Sequence, residues 1–194
     1  MFEEYSVRRG GTQKELGPKK FLKGLSGLEA LKALLLQPTC IINGLLAGYT
    51  GKGSETVLPL EAVAKLDFRL VPDQKPDEIF EKLTHHLKAK GFDDVEIVRY
   101  SSTEPAKTPT TDPFAGLVAK VAKKVYGEKA AIHPLGAGSS PMHLFRNILG
   151  LPVVSVGCSR PESNTHAPNE NLRIESFIKG VNFIATLVND FSNW

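Results

Sequence analysis

"DPFAGLVAKVAKKVYGEKAAIHPLGAGSSPMHLFRNILGLPVVSVG" runs from Asp112 to Gly157, and its rhythm decides the fold class. Asp112-Pro113 opens a helix, because proline is tolerated at the first helical position. Phe114, Leu117, Val118, Val121 and Val125 then recur at helical spacing until Gly127 stops it. Ala130 to Leu135 predicts a strand, Gly136-Ala137-Gly138-Ser139-Ser140 a turn, Pro141 to about Gly150 another helix, and Val153 to Val156 another strand. Helix alternating with strand predicts an α/β unit, a parallel sheet with helices on its faces. Functional loops in such sheets lie beyond the carboxyl ends of the strands. The GAGSS loop and the loop that holds His166 are therefore expected to be neighbours. A last helix follows, with Ile174, Phe177, Ile178, Val181, Ile184, Val188 and Phe191 as its expected core face.

On the N-terminal side, Ser101 to Pro113 is a break rich in Ser, Thr and Pro, read as a linker. Residues 40–100 before it read β-β-α-β, a small α+β sheet with a helix on one face. Cys40 to Tyr49 is strand-like. Val63 to Val71 alternates, with Ala64, Leu66, Phe68 and Leu70 on one side and Lys65, Asp67 and Arg69 on the other. Pro76-Asp77-Glu78 opens a helix with Ile79, Phe80, Leu83 and Leu87 as its stripe and Gly91 as its stop. Val95 to Tyr100 is the last expected strand. Further back, Ser26-Gly27-Leu28-Glu29 has capping-box spacing for a short helix that Pro38 ends.

The 194 residues suffice for one domain or two small ones, and 41% hydrophobic with 23% charged residues describes an ordinary globular chain. The net charge is +3, with a basic cluster at Arg8, Arg9, Lys14, Lys19, Lys20 and Lys23. Interleaved aromatics for base stacking are scarce there, so the cluster reads as a solvated segment and no nucleic-acid partner is expected. Cys40 and Cys158 are far apart and form neither a disulfide framework nor a CxxC knuckle. With no apolar run of spanning length and no signal-peptide core, the chain is expected to be soluble and cytoplasmic, without a membrane partner.

Three places can carry chemistry. His166 reads either as a loop histidine bonded to nearby backbone or as a metal ligand or general base. Zinc needs three or four ligands, and none lies at ligand spacing from it. The GAGSS loop offers open backbone, the Ser139 and Ser140 hydroxyls and a following helix N-terminus, which suits a carboxylate or phosphate. It reads equally as a tight strand-to-helix turn capped by Ser140. Arg69, on the polar side of its strand, can fork onto a carboxylate or serve an ion pair on the sheet, with Asp67 or a neighbour. His85 and His86 are read as surface, and His133 and His143 as structural.

"GYTGKGSETVLPLEAVAKLDFRLVPDQKPDEIFEKL" (48–83), "GAGSSPMHLF" (136–145) and "PVVSVGCSRPESNTHAPNENLRIESF" (152–177) together resemble the aminoacylase/carnosinase family of di-zinc metallopeptidases, peptidase family M20. The most specific marks are R-L-V-P before a helix (Arg69 to Pro72) and H-x-x-N-E before the final helix (His166 to Glu170). Within the family the dipeptidase branch is the nearest likeness.

The resemblance implies a partial, ferredoxin-like lid at 38–105, reached by a connecting segment at 1–37. It further implies the C-terminal portion of a parallel-sheet di-zinc catalytic domain at 106–194. It makes His166 a ligand to one of two zincs. Arg69 and Thr56 become lid contacts to substrate, Arg69 gripping its carboxylate, and Asn43 a polar lid residue. Gly138 and Ser139 hold the substrate's backbone, although the family more often shows Gly-Gly-Ser there after a charged residue. The substrate implied is a small peptide or N-acyl amino acid, and the assembly a homodimer through the lid.

The family's His-x-Asp pair, bridging Asp and Glu-Glu pair have no counterpart, and Glu3-Glu4 lacks their context. The chain is accordingly expected to be a C-terminal piece of such an enzyme, binding zinc weakly at most and inactive alone, with no catalytic residue of its own. Two other readings stand beside this one: a non-catalytic dimerisation or partner-binding module, and an anion or nucleotide binder built on the GAGSS turn and the basic N-terminus.

Overall fold

The computed structural model describes residues 20–194. Glu3-Glu4 and the cluster from Arg8 to Lys19 lie outside the described residues. The chain groups into two compact units. One is Leu36–Pro105; the other joins Ala106–Trp194 to the described residues up to Leu35.

Helix α1 spans Gly27–Leu36 after a short 3-10 turn at Leu22–Gly24. The Ser26 carbonyl accepts the Ala30 amide at 3.3 Å, and the Glu29 carboxylate meets Lys32 Nζ at 3.0 Å. Leu35 is its buried residue.

In the Leu36–Pro105 unit, β1 (Thr39–Ala47) and β2 (Ala62–Arg69) pair antiparallel, with Thr39 opposite Arg69 and Ala47 opposite Ala62. Ile42 faces Leu66 and Gly44 faces Lys65, so Asn43 is the extra residue of a β-bulge. Helix α2 (Pro76–Ala89) begins on a proline that gives up no needed hydrogen bond, with Asp77 and Glu78 in the first turn where the helix dipole favours acids. Gly91, at φ +81°, ends it as expected. Ile79, Phe80, Leu83 and Leu87 are its half-buried stripe. No residue of this unit is fully buried.

In the other unit, α3 (Pro113–Tyr126) is capped by Asp112, whose carboxylate accepts the Phe114 amide at 2.9 Å. Gly127 closes it in the left-handed conformation at φ +79°, which a residue with a Cβ rarely adopts. Helix α4 (Ile174–Ser192) lies against it. Leu117, Val118 and Val121 of α3 and Phe183 of α4 form the core, with Phe114, Ala122, Val125, Val154 and Leu187 around it. Tyr126 packs beside Phe183 with ring centroids 6.1 Å apart, and Lys124 reaches Asp190 at 3.3 Å. A Cβ on Gly180 would lie 3.1 Å from Cys158 Sγ, so this glycine lets the 158 segment approach the helix.

Two expectations are corrected. The α3 stripe is as read, but the α4 core face is not. Ile174, Phe177, Ile178, Val181, Ile184, Val188 and Phe191 are all exposed, by 51 to 78%. Phe183 and Leu187 fill the core instead. The helix has two apolar sides, and α3 can cover only one of them.

Residues 95–100, 130–135 and 153–156, expected as strands, carry no ladder, so the parallel sheet is not seen. The only sheet among the described residues is the antiparallel pair. A strand exists only against a neighbour whose backbone pairs with it, and apolar sequence does not supply one. Arg99, in the first of these segments, donates to Asp77 at 2.7 Å and sits 5.4 Å over the Phe80 ring, tying the segment to α2. Val153 donates its amide to Thr108 Oγ1 at 2.8 Å. The architecture is mixed α/β with a small two-stranded sheet. No helix among the described residues is long and apolar enough to cross a membrane.

Candidate functional site

The sequence candidates fall in both units. Asn43, Thr56 and Arg69 belong to Leu36–Pro105, and Gly138, Ser139 and His166 to the other unit.

His166 comes after a 3-10 turn, Pro161–Ser163. Ser163 is the buried residue of this loop. Its hydroxyl accepts the Arg160 amide at 3.0 Å, its amide donates to the Arg160 carbonyl at 2.9 Å, and its carbonyl accepts the Asn171 amide at 2.9 Å. The Asn171 side chain donates to the Glu162 carbonyl at 3.1 Å and the Asn169 carbonyl at 3.0 Å, closing the loop on itself. Between these anchors the Ala167 amide donates to the Asn164 carbonyl at 2.8 Å, a tight turn with Thr165 and His166 at its centre.

Asn164, His166 and Asn169 all have left-handed backbones, at φ +52°, +63° and +61°. Asparagine accepts that conformation readily and histidine less so. The loop's hydrogen bonds therefore hold an exposed imidazole at the tip of a shaped turn. Arg160 Nη2 lies 3.2 Å from Glu162 Oε2. The Glu162 carboxyl is held below its ordinary range, chiefly by its own backbone amide and next by that guanidinium.

Gly138 and Ser139 lie in an exposed loop, where a Cβ on Gly136 or Gly138 would meet nothing within 4 Å. Beyond it, after His143, the chain makes a five-residue π-helical turn, Leu144–Ile148. The helix expected after Pro141 is present but short, Met142 and His143 running into that turn, and the Met142 amide at its start donates to the Ser140 carbonyl at 2.7 Å.

Arg69 ends β2. Its Nε lies 2.7 Å from Asp67 Oδ2, two residues back on the same strand, which is one of the two roles its sequence position allows. Asn43 is the bulge residue of β1, between the partners of Leu66 and Lys65. The ladder thus places it about 13 Å along the strand from the Arg69 end. Thr56 is exposed in the long β1–β2 connection, which leaves the ladder at its other end.

Among the described residues no group of three or more His, Cys, Asp or Glu side chains could hold a metal ion. His166 alone does not fit a zinc pair. His85, His86 and His133 are exposed, and His143 is half-buried with Nδ1 unpartnered. Sequence reading missed Ser163 and Asn171 as the anchors of the His166 loop. The available signal was a run of Ser and Asn whose side chains and αL tolerance suit turns.

The family model described as "Peptidase family M20/M25/M40" matches residues 3–190. A Cys-Gly metallodipeptidase of Saccharomyces cerevisiae is 27% identical over 161 residues, covering 80% of this chain and 33% of its own. A solved M20 family metallo-carboxypeptidase of Sulfolobus solfataricus superposes with a TM-score of 0.81 at 39% identity, over 93% of this chain and 43% of that one. Human carnosine dipeptidase 1 shares the fold, with a TM-score of 0.73 at 20% identity, over 90% and 38%. The chain spans about a third of the length of the curated relatives it matches.

Proposed function

The chain belongs to peptidase family M20/M25/M40, and from that premise we propose that it is the lid and C-terminal catalytic portion of a zinc-dependent dipeptidase-like hydrolase acting on amide bonds. In this reading His166 is one zinc ligand, Gly138 and Ser139 bind the substrate's backbone, and Arg69 takes its carboxylate. Thr56 and Asn43 contact substrate from the lid. The substrate is a small peptide or N-acyl amino acid, in keeping with the names of the relatives.

The observation that carries the reading is the His166 loop. A left-handed backbone costs a residue with a Cβ about 1–2 kcal/mol, and such strain persists where surrounding bonds over-determine it and where function uses it. Ser163 and Asn171 supply those bonds. Arg69 also suits its role, since Asp67 holds the guanidinium by Nε at one end and thereby orients it. A homodimer through the lid is supported by the outer edges of β1 and β2, which no other strand among the described residues covers.

A catalytic zinc takes three protein ligands and a water, so one imidazole supports no metal-borne step, and the chain by itself is inactive. Two measurements test this. Purified chain with zinc and a dipeptide panel is expected to hydrolyse nothing beyond a metal-free blank; clear zinc-dependent turnover would overturn the inactivity. In a zinc titration followed by NMR, the His166 imidazole resonances are expected to shift weakly, and His166→Ala to abolish the effect. Shifts confined to other histidines would remove the ligand role.

A further inference from the structure

Asn-Gly occurs once in the chain, at 43–44. The pair ordinarily signals a two-residue hairpin turn, which needs backbone at positive φ. Here it stands inside β1, and Gly44 lies outside the left-handed region. Gly44 is opposite Lys65, and a Cβ added to it would meet Lys65 Cδ at 3.7 Å, an ordinary contact. Neither conformation nor packing therefore calls for glycine at 44. What the missing Cβ does leave open is the Gly44 backbone nitrogen, next in the chain to the Asn43 side-chain amide.

The bulge brings that pair within reach of chemistry. Residues of a regular ladder have their torsions pinned by hydrogen bonds to the partner strand, whereas a bulge residue is left out of the pairing. Asn43 is that residue, and it is exposed. The other asparagines differ. Asn171, Asn189 and Asn193 hold their side-chain amides in hydrogen bonds. Asn147, Asn164, Asn169 and Asn182 are each followed by a residue whose side chain crowds the next nitrogen.

We propose that Asn43-Gly44 is a self-modification site, where the asparagine loses its amide and becomes a mixture of aspartate and isoaspartate. The Gly44 nitrogen gives its proton to solvent base and bonds to Asn43 Cγ. The Cγ–Nδ2 bond breaks, and the amide nitrogen takes a proton back from solvent and leaves as ammonia. One water then opens the cyclic imide. Opening at Cγ restores the main chain with an aspartate side chain; opening at the Asn43 carbonyl carbon leaves isoaspartate, whose main chain is longer by a carbon. The bulge already carries surplus main chain, which suits it to either product. Water is the only co-reactant, and the proposal goes beyond the hydrolase reading without depending on it.

The test holds the whole chain in mildly alkaline buffer at physiological temperature. Its peptides are then mapped by mass spectrometry with electron-transfer fragmentation, which tells aspartate from isoaspartate. Asn43 is expected to convert before every other asparagine and to give both products. Its rate should lie within about tenfold of that in a free peptide of residues 41–47, because the bulge leaves its torsions unpinned. Gly44→Ala should slow conversion about tenfold or more by crowding the attacking nitrogen. The variant's circular dichroism should match the parent's, since the added methyl fits against Lys65. Four results would each overturn the proposal: another asparagine converting first, a rate more than about tenfold below the peptide's, aspartate without isoaspartate, or a Gly44→Ala chain that converts as fast as the parent.

Discussion

The inner and outer sides of α4 have the same chemistry and opposite surroundings. Phe183, inside, is 2% exposed among Leu117, Val118 and Val121; Phe177, six residues earlier, is 57% exposed. Hydrophobicity is a property of the residue, whereas stabilisation is a property of the contact. One helix therefore holds a group that the fold depends on and a chemically identical one from which the isolated chain gains little.

The sharpest way to break this comparison is to truncate both rings. Phe183→Ala should lower unfolding stability by about 3–5 kcal/mol, from lost transfer energy plus the cavity it leaves. Phe177→Ala should stay within about 0.5 kcal/mol. Urea unfolding of the two variants checks this, and similar losses at both sites would mean that the outer stripe is covered in solution.

A smaller effect separates what α3 owes to packing from what it owes to its end. Asp112→Ala removes the cap on the Phe114 amide and should cost about 1 kcal/mol. Asn or Ser at the same position should restore most of it, and the melting temperatures of the three proteins decide.

The smallest effect lies on the polar arc of α4. Glu175 is held below the ordinary glutamate range, first by the hydrogen bond from Lys179, 2.7 Å away, and then by its charge. A depressed carboxylate contributes stability that is present above the unfolded glutamate value and lost as pH falls through the lower folded one. The pair is solvent-exposed, so the change should be slight. An NMR titration should show the Glu175 carboxyl moving up toward its ordinary value in Lys179→Ala, with Arg173 and Arg160 still drawing it down, and unmoved by Phe177→Ala.

The same contrast explains what could be read in the sequence. Local chemistry announced the ends of α2 and α3 through Pro76, Asp112-Pro113, Gly91 and Gly127, because the groups that start and stop a helix are its own neighbours. The β1–β2 pair was legible from the alternation over 63–71. The segments 95–100, 130–135 and 153–156 were not, since an apolar run does not say whether a strand lies beside it. The choice between the two sides of α4 failed for the same reason: both have helical period, and the decision belongs to α3. At the candidate site, His166 stood out through its pattern with Asn169 and Glu170. Ser163 and Asn171, which shape its loop, are visible only as hydrogen-bond geometry.

The bulge at Asn43 has a consequence for how this protein tolerates change in length. Residues directly opposite in a ladder share a side of the sheet. Ile42 with Leu66, Leu45 with Ala64 and Cys40 with Phe68 thus stand together, although 42 and 45 are an odd number of positions apart. The extra residue acts as a half-period phase shift between the two parts of β1. Deleting Asn43 would do more than remove a polar side chain. It would close the bulge and leave Ile42 opposite Leu66, Gly44 opposite Lys65 and Leu45 opposite Ala64 in regular alternation, each on its present side. The bulge is thus the one place in β1 where losing a residue keeps every existing pair.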